Sequence, residues 1–560
     1  MLVIRVGRAA LLGLAASLAP ACGSSADVWF QEGARESGLD FVHVRALEQR
    51  FWFPEIMGGG VALLDFDQDG WLDLYLVQSG DLAEPGPERG DRLYRNQGDG
   101  SFRFVEGSGA EDPGYGMGCA CADADGDGKT DLFVTNVGPN TLYRNRHGQG
   151  SGPVFEDVTA AAGVGDPAWG TSASFFDADS DGDLDLFVTN YVRWSAEIEI
   201  DCRSPFDEPD YCAPNNYDAP TRDLLYRNEG DGRFTDVSEA AGLSAAFGNG
   251  LGVVTGDLDQ DGRIDVYVAN DLMPNQLWIN RGELVFADRA LYAGCAVNMD
   301  GIAQAGMGIV AVDVEGDFDL DVFITHLREE TNTLFMNEKG LFSDHTAQFA
   351  LGAASLPYTG FGTDVADFDH DGVLDVFVAN GAVTRNRVRF DPDDPYAEPV
   401  LFQRGVAAGA LGVSFVEVPG GGSDPPSIGN GRGAAFGDLD NDGDLDVVVV
   451  DNGARVRLLE NLRGANGHWI QLSVLERTGA DALGAQVLLE GGGKTFRRDV
   501  QSDGSYCAAS DPRVHVGLGA SSSALTASVR WVDGASEEFG PLETDRFHVL
   551  RRGEGQLASR

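Results

Sequence analysis

The chain has 560 residues, with 89 Asp and Glu against 40 Lys and Arg and a formal net charge of −49. That length exceeds one ordinary core and predicts two to four domains or a repeat array. Hydrophobic residues at 43% exclude a disordered acidic tail, and the acidic balance excludes nucleic-acid binding and adhesion to anionic lipid, both of which need clustered Lys and Arg.

Residues 1–22 read as an export signal. Arg5 and Arg8 make a positive start, and Ala9 to Leu18 form an apolar stretch too short to span a bilayer. Ala19-Pro20-Ala21 supplies small residues for cleavage, and Cys22 follows at once. Two readings stay open here. In one, a lipoprotein signal leaves Cys22 lipidated, with Gly23-Ser24-Ser25 as a tether; in the other, an ordinary signal peptidase cuts ahead of Cys22. Either route exports the chain, as a cell-envelope or outer-membrane lipoprotein or as a secreted protein. Contact with a membrane is then expected only through a lipid on Cys22. Among the seven Cys, Cys202 and Cys212 share one long loop and are the expected disulfide of an oxidising compartment. Cys119, Cys121, Cys295 and Cys507 have no assignable partners.

Seven copies of a nine-residue frame, D-x-D-x-D-G-x-x-D, follow, each running into a short apolar strand such as LYLV or LFVTN. Their acids at frame positions 1, 3, 5 and 9 are Asp65, Asp67, Asp69 and Asp73; Asp123, Asp125, Asp127 and Asp131; Asp177, Asp179, Asp181 and Asp185. The next two copies hold Asp257, Asp259, Asp261 and Asp265, then Asp313, Glu315, Asp317 and Asp321. The last two hold Asp367, Asp369, Asp371 and Asp375, then Asp438, Asp440, Asp442 and Asp446. Successive copies start 58, 54, 80, 56, 54 and 71 residues apart. Downstream of the first five copies stands a Leu-aromatic-x-Asn strand, such as Leu93-Tyr94-Arg95-Asn96 and Leu277-Trp278-Ile279-Asn280. Each unit therefore holds about four short strands, and seven such units predict a seven-bladed β-propeller over residues 26–460. The stretches around 191–222 and 384–430 read as long insertions on a rim.

Calcium takes six to eight oxygen ligands at about 2.3–2.6 Å. Carboxylates at positions 1, 3 and 5 converge on one ion if the chain turns sharply after them, which Gly at position 6 permits. Position 7 offers only its carbonyl, and its side chains share no chemistry: Trp71, Lys129, Asp183, Arg263, Asp319, Val373 and Asp444. A plain acidic turn explains one such loop but not seven with three alternating acids, whose mutual repulsion needs a cation. Six to seven Ca2+ sites are expected. The fifth frame is the irregular one, with Phe318 in place of the turn Gly and Glu315 in place of Asp; a weak site or a shifted register both fit it.

These loops resemble the FG-GAP/VCBS repeats of the integrin α-chain propeller. The flanking text, including Pro54-Glu55-Ile56-Met57-Gly58-Gly59-Gly60 and Leu356-Pro357-Tyr358-Thr359-Gly360-Phe361-Gly362, is similar to FG-GAP proteins that end in an ASPIC/UnbV domain. Residues 461–556 look like that domain, from Asn466-Gly467-His468-Trp469 to Val529-Arg530-Trp531. Read alone, that region alternates apolar and polar residues and predicts a small β-sandwich or barrel-like domain. Ser510-Asp511-Pro512-Arg513 is either a binding edge or a turn in which Arg513 pairs with a local carboxylate. The resemblance implies an all-β, exported, calcium-binding propeller with a β-rich appendage.

No HExxH, Gly-x-Ser-x-Gly or Walker-type loop is present, and the His residues are scattered. His326 reads as a metal ligand or as a buried, hydrogen-bonded side chain. Cys119 and Cys121 fall on one face of a strand, as disulfide halves or buried thiols. The expected function is a non-catalytic adhesion or recognition module for a protein or glycan partner. A lectin is one form of it, with Trp71, Trp194, Trp278, Tyr211 and Tyr217 as sugar platforms if they do not serve the core. The alternatives are a calcium-assisted polysaccharide lyase or hydrolase, and a purely structural envelope component.

Overall fold

Each acidic frame folds as the turn between the first and second strands of a four-stranded sheet, and the apolar run after it is the second strand. The structure, a computed structural model, describes residues 28–557 apart from 47, 84–85, 87–89, 150–151, 386–388 and 410–411. The expected export signal and Cys22 lie outside the described residues. In the first unit Val61–Leu64, Asp73–Leu76, Arg92–Asn96 and Phe102–Phe104 pair antiparallel in sequence order. Six further units repeat this plan, with first strands Gly116–Ala122, Gly170–Phe176, Gly250–Gly256, Ile309–Val312, Gly360–Ala366 and Gly431–Gly437. Every residue of the second strands is buried. Neighbouring sheets cover both of their faces, which is why they read as unbroken apolar runs.

The fold is propeller-like. Each first strand touches the next in sequence order, and Gly431–Gly437 comes back against Val61–Leu64. The start of the chain completes the last sheet: Phe30–Glu32 is the fourth strand of the seventh unit, antiparallel to Arg457–Asn461. The reading of 384–430 as an insertion needs correction. Leu401–Ala407 and Val413–Glu417 are the third and fourth strands of the sixth unit. They escape the motif because Phe402, Gln403 and Gly405 stand where the first five units carry Leu, an aromatic and Asn.

The C-terminal region folds as two facing sheets. Val514–Gly519, His468–Leu475 and Phe547–Arg551 form one; Lys494–Asp499, Gln486–Gly491, Leu525–Arg530, Ser536–Leu542 and Gln556–Leu557 form the other. Ile470, Leu472, Val487, Val516, Val529 and Trp531 fill the space between them, in one cluster with Phe133, Phe175 and Leu186 of the repeat units. The domain sits on the side of the acidic loops. Arg513 donates to the Asp438 carbonyl (2.7 Å) and to Asn441 Oδ1 (2.9 Å), Arg497 donates to the Phe318 carbonyl (2.6 Å), and Arg530 lies 3.7 Å from Asp257. Arg513 also pairs with Asp511 at 2.8 Å, so the turn reading of that tetrad holds and the same Arg clamps loop seven.

Between Lys494–Asp499 and Val514–Gly519 the domain sends residues 501–511 down the middle of the ring. This hairpin meets a first strand of every unit. Ala508 and Ala509 run parallel to Val61 and Ala62, Gly118 packs on Cys507, and the Cys507 N–H donates to Ser172 Oγ at 3.0 Å. Asp503 accepts from Ser174 Oγ, Thr255 N and Thr255 Oγ1 at 2.5, 2.9 and 2.6 Å. Ser505 exchanges backbone bonds with Ile309, accepts from the Thr363 N–H (3.1 Å) and donates to the Ala434 carbonyl (2.7 Å). At the tip, Tyr506 is fully buried against Phe361, with its hydroxyl donating to the Met57 carbonyl at 3.2 Å. Ser505 and Cys507 take φ of 56° and 52° to make the turn, a conformation costing L-residues about 1–2 kcal/mol each that the surrounding hydrogen bonds offset.

Candidate metal centres

All seven loops are built alike. The position-6 N–H donates to the far oxygen of the position-1 Asp, as in Gly70 to Asp65 (2.9 Å), Gly128 to Asp123 (2.8 Å) and Gly443 to Asp438 (2.9 Å). The position-7 N–H donates to the position-5 Asp, as in Trp71 to Asp69 (3.1 Å) and Val373 to Asp371 (2.9 Å). Two residues per loop take positive φ. Position 6 was legible from its Gly; position 4 was not, because Gln68, Ser180, Gln260, His370 and Asn441 occupy it with φ of 56–63°. The turns aim the acids inward. Oxygens of Asp65, Asp67 and Asp73 lie within 4.8 Å of one another, and so do those of Asp123, Asp125 and Asp127, of Asp177, Asp179 and Asp185, and of Asp257, Asp259 and Asp265.

Loop five keeps the common register. Asp313, Glu315 and Asp321 converge as the acids of the other loops do, and the Phe318 N–H donates to Asp313 Oδ2 at 3.1 Å, as the Gly N–H does elsewhere. The substitution shows as strain: Phe318 holds φ = 74° with a partly exposed ring. Phe318→Gly is therefore expected to raise stability by about 1 kcal/mol, measured by chemical denaturation; an unchanged or lower midpoint would reject strain at this turn.

Burial raises the acids of these clusters, and neighbouring carboxylates add to it. Asp123 and Asp177 are pushed to about 6, Asp73, Asp131 and Asp185 to about 8, and Asp321, beside Glu315, to about 9. Arg95 leans on Asp67 (2.5 Å), Arg144 on Asp125 (2.5 Å) and Arg404 on Asp369 (2.9 Å), which offsets part of the charge in those loops. Asp67, Asp179, Asp257 and Asp259 each keep a buried Oδ1 with no hydrogen-bond donor among the described residues. Oxygens that are carboxylate-rich, convergent and partly orphaned fit a hard divalent cation of the calcium type, not a thiolate- or imidazole-seeking metal.

The position-9 Asp does a second job. Asp73 accepts the Phe66 N–H at Oδ2 and the Asn96 N–H at Oδ1, and Asp131, Asp185, Asp265, Asp321 and Asp446 do the same in their units. Each Leu-x-x-Asn residue in turn bridges two units. Asn145 Nδ2 donates to the Thr130 carbonyl of its own loop and to the Phe66 carbonyl of the preceding one, at 3.1 and 2.8 Å. Asn96, Asn228, Asn280, Asn337 and Asn461 reach back in the same way, Asn96 to Leu439 of unit seven. Unit six, with Gly405, lacks this bridge to irregular loop five. The motif was visible in the sequence but its role was not, and Asn461 in Leu458-Leu459-Glu460-Asn461 was findable by spacing alone.

Other candidates sort by burial. Trp278 and Tyr211 belong to the core, while Trp71, Trp194 and Tyr217 are partly buried, Trp71 over Gly98, Tyr217 stacked on Phe53 and Trp194 against Trp52 and Trp169. His326 is buried and held far on the neutral side, at about 3, with a hydrogen bond to the Thr331 backbone, as the buried, hydrogen-bonded reading expects; its Nδ1 has no partner among the described residues. Cys119, Cys121, Cys295 and Cys507 are buried free thiols, and Cys202–Cys212 is a disulfide.

The FG-GAP-like repeat family matches residues 65–134, 123–188, 209–268, 257–324 and 313–378, together more than half of the chain. The ASPIC and UnbV family matches residues 476–557. The chain belongs to the FG-GAP-like repeat family and carries a C-terminal ASPIC and UnbV domain. Cartilage acidic protein 1 of Homo sapiens is 26% identical over 410 residues, 70% of this chain and 55% of the relative. Its Mus musculus counterpart is 26% identical over 425 residues, 72% and 58%. The chain thus spans about half the length of the curated relatives it matches. Among solved structures, an Agrocybe aegerita lectin that recognises non-reducing terminal N-acetylglucosamine is similar with 15% identity and a TM-score of 0.37, over 66% of this chain and 84% of that one. A Bacillus licheniformis rhamnogalacturonan lyase shares 14% identity with a TM-score of 0.34, over 72% and 71%.

Proposed function

We propose that the chain is an exported, calcium-bound recognition module that performs no catalysis and engages a protein or glycan partner with the face opposite the acidic loops. The observation that carries this reading is occupancy: the C-terminal domain lies on loops four to seven and its hairpin fills the axis, so these surfaces serve the fold. Calcium would be held by the acids at positions 1, 3, 5 and 9 of each frame, and it would supply the charge that locks the turns. Burial argues against general-base chemistry. The His43–Ser79 contact (3.0 Å) is wired the wrong way, since His43 Nδ1 accepts the Gly453 N–H and Nε2 must therefore donate to Ser79, whose hydroxyl goes to the Gly116 carbonyl. Export rests on residues 1–22, with a lipid on Cys22 as the anchor if the lipoprotein signal operates.

The test is a glycan array and an envelope-extract pull-down with the ectodomain, each in millimolar calcium and in EDTA. Capture that needs calcium supports the reading. Folded protein that captures nothing in calcium would favour a purely structural role, and depolymerisation of a bound polysaccharide would favour the enzyme.

A further inference from the structure

The first strand of each unit runs toward the acidic loops and the second runs back, so whatever follows the second strands lies at the opposite face. There, the insertion after Asp185–Asn190 is pinned by Cys202–Cys212 and organised around one carboxylate. Glu199 accepts the Trp194 indole N–H (2.6 Å), the Tyr217 hydroxyl (2.5 Å) and the Phe53 backbone N–H (3.1 Å). Three donors thus fix the pose of an indole that remains half exposed. Trp194 meets Trp52 at 5.9 Å between ring centroids, tilted, and Trp169 at 6.2 Å, edge-on, and the rings line a pocket of about 450 Å³. Trp169 keeps a buried Nε1–H with no acceptor among the described residues. Arg193 stands exposed at the same pocket, and its guanidinium makes no ion pair or hydrogen bond among the described residues. In a chain of net charge −49, an uncommitted cation beside three indoles is informative.

We infer that this pocket binds an anionic saccharide: a pyranose ring against the faces of Trp52 and Trp194, and its carboxylate on Arg193. The volume lies in the range of small-molecule sites, and its lining of aromatic faces with few polar groups is typical of them. Tilted indoles offer flat apolar area without the chain entropy of aliphatic side chains, and a guanidinium matches a planar carboxylate in two-point contact. The inference rests on the recognition reading above and sharpens its ligand and place.

The test titrates the full chain, in calcium, with oligogalacturonate, oligomannuronate and hyaluronan oligosaccharides, and with a neutral maltooligosaccharide as control, following tryptophan fluorescence and heat. A uronate oligosaccharide is expected to change the fluorescence and to bind, while the neutral control does not. Trp194→Ala is expected to weaken binding at least about tenfold. Arg193→Gln, an exposed change that leaves the fold alone, should weaken it by about tenfold and flatten its salt dependence. Trp52→Ala serves where Trp194→Ala lowers the melting temperature. Absence of binding by any uronate, or binding untouched by both Trp variants, overturns the inference; equal binding of the neutral sugar overturns the role of Arg193. A protein partner captured through another surface would leave the recognition reading standing while this one falls.

Discussion

Tyr506→Ala is expected to lower the unfolding free energy by about 3–5 kcal/mol, the range for removing a fully buried large aromatic, although the residue lies far from the repeat loops in sequence. Tyr506→Phe keeps the ring on Phe361 and loses only the bond to the Met57 carbonyl, so about 1 kcal/mol should go. Replacing 501–511 by a Gly-Ser segment of equal length should do far more. It strips Ser172, Ser174, Thr255, Ile309, Thr363 and Ala434 of partners at once, leaving polar groups on the first strands of five units to face each other. The hairpin is the element all seven units share, so its loss should both lower the melting temperature and broaden the transition, as units come apart separately. A scanning calorimetry trace for the Gly-Ser variant that overlays the parent would show that the hairpin merely fills space. A soluble 28–460 fragment with the parent's melting temperature would show the same by another route.

The regular parts of the fold were legible because their physics is local. Three alternating acids and a Gly specify a turn in nine residues, and a second strand covered on both sides must be apolar throughout, so seven frames announced seven sheets. What escaped depends on distant partners. Unit six hid its third strand because Phe402, Gln403 and Gly405 replace the Leu, aromatic and inter-unit Asn that defined the motif. The position-4 left-handed residues carry no single residue type, since Gln, Ser, His, Asn and Gly all tolerate that turn when hydrogen bonds hold it. The hairpin 501–511 was the largest miss. Gln501-Ser502-Asp503-Gly504-Ser505-Tyr506-Cys507 reads as a polar loop of a small β domain, and only the ring around it turns its Ser, Asp and Tyr into buried, bonded groups. At the opposite face the same logic applies to Trp194: the sequence offers five aromatic platforms of equal merit, packing buries Trp278 and Tyr211, and only the pocket beside Arg193 sets Trp194 apart.

Calcium and pH should act in opposition on stability, and the sign follows from the buried acids. In chelator, the folded state holds Asp123 and Asp177 at about 6 and Asp73, Asp131 and Asp185 at about 8, against about 3.9 in the unfolded chain. A folded-state value above the unfolded one means that the native protein binds the extra protons. Its contribution is complete below about pH 4 and is lost as pH rises through 6 to 8. The chelated protein should therefore melt at progressively lower temperature from pH 5 to pH 8.5, the reverse of ordinary carboxylate behaviour. Calcium replaces those protons, so its binding should release them and tighten with pH. Each site filled at a hundredfold excess over its Kd adds about 2.7 kcal/mol, and six such sites together should raise the melting temperature by roughly 15 °C at pH 8 and by much less at pH 5. Asp69→Ala and Asp261→Ala, each removing the position-5 acid of one loop, should each lower the calcium stoichiometry by one in calorimetric titration. Melting curves at pH 8 that coincide in calcium and in EDTA would remove the metal from these loops. A chelated protein whose stability instead rose with pH would mean that the acids are ionised in the native state and that some other cation, with Arg95, Arg144 and Arg404 the nearest at hand, already balances them.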